Sequence, residues 1–179
     1  MLPTLLVALC VVLRVIPHPP NFAPAGATAL FAGRTMKPWS ALILVAAAMF
    51  VGDAALARLH GYPLFDAVTP FVYGGFFVQA FLGRALRSKK AGIIVAATLG
   101  AVGFFALSNF GVWVAAGIYP HTMVGLLACY VAALPFFGGT LLGDVLFSIA
   151  LSALYKMLAR RLEPDRRWVP VPTKELAIF

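Results

Sequence analysis

The sequence predicts an all-α fold, a polytopic membrane bundle of about six transmembrane helices. Composition is the first reason. The chain is 62% hydrophobic and 11% charged, with a mean hydropathy of +0.95, where a soluble domain is about 45–50% apolar and about 25% charged. A fold of 179 residues cannot hide that excess, because small folds must cover much of their surface with polar groups. Arrangement is the second reason: the apolar residues come in long runs, and most basic residues flank those runs at Arg34/Lys37, Arg84 to Lys90 and Lys156 to Arg167. The net charge of +8 therefore reads as loop marking beside anionic lipid, and not as nucleic-acid binding.

The first run, 2–16, stops at Pro17–Pro20, and the second, 22–33, stops before Lys37–Pro38. Both fall short of the ~20 residues that span an upright hydrocarbon core. They must tilt, thin the bilayer or pack inside the bundle, unless 2–33 forms one broken span. The runs 39–57, 68–86 and 91–117 are each close to one span, separated by Arg58–Pro63, Arg87–Lys90 and Tyr119–Pro120. The last run, 122–158, exceeds one span, and Pro135 is expected to break it into 122–134 and 136–158, leaving backbone that protein or a cavity must shield. One transmembrane domain, 1–158, and a basic cytoplasmic tail, 159–179, account for the chain.

Placing the Arg84–Lys90 loop in the cytoplasm assigns every other connection. All lysines and arginines except Arg14 and Arg58 then lie on the cytoplasmic side, as the positive-inside rule requires. His18, Asn21, Tyr62, Asn109, Trp113, Tyr119 and His121 fall on the outer side, in IPHPPNF, RLHGYPLFDAVT and SNFGVWVAAGIYPHT. A six-helix bundle brings these segments to one mouth, where aromatic and polar groups suit a small-molecule pocket. Interface preference alone also places Trp and Tyr there.

Charges inside apolar runs need partners. Arg14 and Asp53 both lie in the outer part of their helices and are expected to pair. Asp144, in LLGDVLF, lies deeper without an evident basic partner; backbone freed at Pro135 is one candidate. Ala25, Ala29 and Gly33 repeat at four-residue spacing and share one helix face. Such a stripe serves either internal packing or docking of another membrane subunit. Cys10 and Cys129 lie in apolar runs and read as buried hydrophobes. No phosphate-binding glycine loop, HExxH or nucleophile elbow is present, so no catalytic residue, metal site or cofactor is assigned.

RVIPHPPNFAPAGATALFAG, NFGVW, YPHTMVGLLACYVAALPFF and GTLLGD resemble an uncharacterised bacterial integral-membrane family, a domain of unknown function, from Arg14 to about Lys156. That family is similar to the S components of energy-coupling-factor vitamin transporters. The resemblance implies a multi-pass protein of the bacterial inner membrane with a cytoplasmic C-terminus, which captures a vitamin or similar micronutrient at its outer face. It also implies docking on a transmembrane coupling subunit driven by separate ATPases, through the stripe that Ala25 and Ala29 match in spacing. Cys129 is the only counterpart here of a cysteine that binds cobalt in a cobalamin-binding member. Two other functions compete: a structural or assembly protein without a ligand, and a membrane enzyme for which Asp66 and His121 form the best pair.

Overall fold

The computed structural model describes residues 2–16, 19–61, 63–88 and 92–162. Six helices make up the described residues, without a strand: α1 (Leu2–Val15), α2 (Ala25–Thr35), α3 (Pro38–His60), α4 (Thr69–Ala85), α5 (Gly92–Ala115) and α6 (Met123–Leu162). The fold is therefore an all-α bundle. Three of its helices, α3, α5 and α6, are long and apolar enough to cross a membrane. The other three have 14, 11 and 17 residues, short of a full span.

Proline and glycine set most boundaries. α3 opens on Pro38 in its first turn, where the missing N–H costs nothing. It closes on Gly61 at φ 71°, the left-handed conformation that suits a helix C-terminus. α4 begins with Pro70 in its first turn, behind a cap made by Asp66. That carboxylate accepts from the Val68 and Thr69 amides at 2.9 and 2.8 Å and from the Thr69 hydroxyl at 2.8 Å.

These bonds, the Thr69 hydroxyl first, hold the Asp66 carboxyl below its ordinary range. A depressed folded value means that its contribution is present above the unfolded value and is lost as pH falls through the folded one. Amide exchange at Val68 and Thr69 should therefore stay protected through the usual carboxylate range and accelerate only below it. Thr69→Ala should move that transition upward in pH.

α2 is the interior helix. Every residue from Gly26 to Gly33 is buried, and all five other helices pack around it. It is about 16 Å long and starts deep in the bundle. α1 and α2 are two separate short helices rather than one broken span. Two residues join α2 to α3, so α2 ends where α3 begins, whereas Arg14, at the end of α1, lies beside Asp53 in the last third of α3. Leu2, Leu6, Val7 and Cys10 of α1 are buried in one core with Ala41 and Val45 from the first third of α3, so α1 runs up alongside α3 and α2 returns.

The stripe of small residues is an internal packing face. Ala29 is fully buried and Gly33 lies against α4. A Cβ on Gly33 would collide with the Ala80 carbonyl oxygen, and a Cβ on Gly83 would collide with the Leu30 carbonyl oxygen. This reciprocal pair lets two backbones touch. The docking use expected from the spacing of Ala25, Ala29 and Gly33 is thereby corrected, since the chain's own α4 occupies the face around Ala29 and Gly33. Arg34 completes the seam, donating to the Leu86 and Arg87 carbonyls at 3.3 and 3.0 Å, where a cation complements the end of α4.

α6 corrects a second expectation. It is one helix of 40 residues with Pro135 inside it, about 60 Å long. The proline forfeits one backbone bond and crowds the preceding turn, but packing on both sides holds the helix to α5. Tyr130 donates to the Ala106 carbonyl at 2.6 Å, and Phe137 lies 4.9 Å from the Phe105 ring. Beyond Pro135, α6 turns its attention to α2, with the Phe31 and Tyr155 rings 5.6 Å apart. Residues 159–162 of the expected tail are helical, and 163–179 lie outside the described residues.

Candidate functional site

The N-terminus of α2 is built into the interior by side chains from α4 and α6. Its N-cap position is Pro24, which provides no side-chain cap. Asp144 of α6 supplies one from a distance: its carboxylate accepts from the Ala27 amide, and Gln79 of α4 donates to its Oδ2 at 2.6 Å. An acidic group here also complements the positive end of the helix. Gly26 is a requirement of this arrangement, because a Cβ there would collide with the Asp144 carboxylate. Asp144 and Gln79 are 3% and 1% exposed. The partners of Asp144 are thus Gln79 and Ala27, in place of backbone freed at Pro135. Ser148 lies one turn further along α6; its Oγ and the Gln79 Oε1 are buried and make no hydrogen bond within the described chain.

One helical turn before Asp144 on α6, Thr140 borders a cavity of about 120 Å³ that α5 also lines. The segment leading into α2 forms its third wall through Asn21, which holds a left-handed backbone at φ 58°. That conformation is uncommon outside glycine and tolerated best by Asn and Asp. Asn109 and Ser108 face the cavity from α5 and Thr140 from α6. Phe104, Phe105, Phe136 and Phe137 provide its aromatic walls.

The remaining candidate residues are distributed elsewhere. Trp113 donates from Nε1 to the Pro120 carbonyl at 3.1 Å and meets the His121 ring edge-on at 5.5 Å. Trp113 lies in the last turn of α5, and Tyr119 and His121 in the connection to α6, so these three stand apart from Asn21 and Asn109, which line the cavity together. His18 and Tyr62 lie outside the described residues. Cys129 is buried, with its thiol 3.4 Å from the Asn109 carbonyl. Among the described residues, no group of His, Cys, Asp and Glu is arranged to hold a metal ion. Asp66 and His121 have separate partners: the first bonds to the Thr69 amide at the start of α4, and the second meets Trp113 edge-on.

Arg14 pairs with Asp53 at 2.6 Å, and Tyr73 donates to the other carboxylate oxygen at 2.9 Å. Asp53, Tyr73, Asp66 and Thr69 line a second cavity of about 210 Å³ between α3 and α4. Its Asp53 and Tyr73 are bonded to each other, and Asp66 is engaged in the turn before α4. The first cavity is the better candidate because four aromatic rings and two carboxamides line it together, a mixture that suits a small-molecule site.

Sequence reasoning missed Gln79, Ser148 and the four phenylalanines. Gln79 carried a usable signal, as an amide alone in the apolar run FFVQAFL, where a polar side chain needs an interhelical partner. The phenylalanines carried none, because helices apolar on every side have no periodicity to mark an inward face.

The architecture defines an all-helical bundle with helices suited to a membrane. The chain belongs to a family of unknown function (DUF6580), whose model matches residues 1–168. No curated protein and no solved structure matches it.

Proposed function

We propose that this protein is a membrane-embedded subunit that captures a small molecule, such as a vitamin or related micronutrient, and delivers it to a separate energised partner. One observation carries the reading: a short interior helix begins in a buried polar cluster, one turn of α6 from a cavity with aromatic walls and amide and hydroxyl groups. Discontinuous helices with buried N-termini are how many membrane transporters build midplane sites. The energised partner in this reading is, by resemblance, a coupling subunit of the energy-coupling-factor type with its ATPases, and the lack of a nucleotide-binding motif in the sequence is compatible with that.

In this reading the protein crosses the cytoplasmic membrane several times. The end carrying Arg34 and Arg84 faces the cytoplasm, and the α5–α6 connection faces outward. A membrane-impermeant maleimide applied to intact cells should label Ile118→Cys and leave Ser88→Cys unlabelled; the reverse pattern contradicts the orientation.

A second reading, a structural or assembly protein without a ligand, draws on cavity size. The cavity, at about 120 Å³, is below the roughly 300 Å³ at which drug-sized ligand sites begin. Native mass spectrometry of the purified protein separates the two: a specific small-molecule adduct supports capture, and its absence under all loading conditions favours the structural role.

A further inference from the structure

The cavity between α5, α6 and the segment before α2 has a definite hydrogen-bonding polarity. Ser108 donates its hydroxyl hydrogen to the Phe104 carbonyl at 2.7 Å. Thr140 directs its own to the Phe136 carbonyl at 3.4 Å. The Asn109 amide nitrogen donates to the Phe105 carbonyl at 2.8 Å. A hydroxyl that has spent its hydrogen keeps acceptor lone pairs, and a carboxamide whose nitrogen is engaged still offers its carbonyl oxygen. The two hydroxyls therefore present acceptors, Asn109 keeps its carbonyl oxygen and one N–H, and Asn21 adds one further carboxamide, so acceptors outnumber donors on the α5 and α6 walls.

Charge and size narrow the choice. No lining residue is ionisable, so a charged ligand would meet no counter-ion there, which favours an uncharged one. Four phenylalanine rings line it, which favours another ring in offset or edge-on contact. The cavity is open on the side of Asn21 and Phe136, both exposed, and its volume of about 120 Å³ is of the order of a site that holds benzene, which suits one six-membered ring with small substituents.

We propose that this cavity binds an uncharged, single-ring molecule that donates hydrogen bonds from its edge. The assignment rests on the capture reading above and names the ligand class for that site.

Phenol and aniline, both neutral at pH 7.5, test it against toluene, which has the same shape without a strong donor. Binding is read by ligand-observed NMR with the full-length protein in nanodiscs. Phenol and aniline should bind about tenfold more tightly than toluene, as expected when one or two hydrogen bonds are gained. Asn109→Leu should reduce that preference and preserve toluene binding. Phe137→Trp should abolish binding of all three at unchanged helical content. Equal affinity for phenol and toluene overturns the donor requirement. Preferred binding of benzoate or benzylammonium, or of the two-ring 1-naphthol, lost in Phe137→Trp, overturns the ligand class while leaving capture at this cavity standing. No binding by any of these compounds overturns the class, whereas the native adduct decides capture by a separate measurement.

Discussion

Gly33→Ala should destabilise the protein by about 3 kcal/mol, the upper part of the range for overpacking a well-filled interior. The added methyl would meet the backbone of Ala80. Backbone has no alternative rotamer, so α2 and α4 must separate, and α2 is the element around which the other helices pack. Gly83→Ala should behave similarly, because it meets the Leu30 backbone from the opposite side. Gly138→Ala provides the contrast. It sits on an exposed face of α6 with open space around it, and alanine gains up to about 1 kcal/mol over glycine in a helix interior. Thermal unfolding in one detergent should rank Gly138→Ala at or above the native protein and Gly33→Ala well below it. Equal midpoints for all three would show that α2 does not touch α4 as described.

Asp53→Ala should cost about 3 kcal/mol, the lower edge for breaking a buried ion pair. The side chains of Arg14 and Asp53 are 16% and 22% exposed, so water softens the loss. Two groups are orphaned together, the Arg14 guanidinium and the Tyr73 hydroxyl. Arg14 keeps only long contacts to the Met49 carbonyl and sulfur, at 3.5 and 3.4 Å. Asp53→Asn should cost less, since a carboxamide oxygen still accepts from Arg14. Combining Asp53→Leu with Arg14→Met should recover most of the loss, because it removes both charges from the interior. A double-mutant cycle on unfolding midpoints measures the coupling, and additive single effects would mean that the pair does not act as a unit.

Much of the fold was legible because apolar runs and their basic or proline boundaries encode helices directly. Isolated charges were legible for a related reason: each requires a partner in an apolar setting, and Arg14 and Asp53 stand side by side. Pro135 was misleading, since a local rule about proline was overridden by tertiary contacts of Tyr130 and Phe137 with α5. The stripe of Ala25, Ala29 and Gly33 encoded close approach, but spacing cannot say whether the approaching backbone is α4 or another protein. Of the candidate cavity, only Asn21 and Asn109 could be picked out. Its rings lie on helices that are apolar all round, and their common facing emerges only when α5 and α6 are packed together.

The capture of a small molecule between α5, α6 and the segment before α2 is tested most directly by native mass spectrometry, comparing the unmodified protein with Phe137→Trp. Both are purified from the membrane in mild detergent and checked for equal helical content. The unmodified protein should carry a one-to-one adduct of a small uncharged molecule, and Phe137→Trp, with the larger ring filling the cavity beside Phe105, should carry none. An unmodified protein that is folded and free of any adduct, both as purified and after loading with micronutrients, would contradict the account.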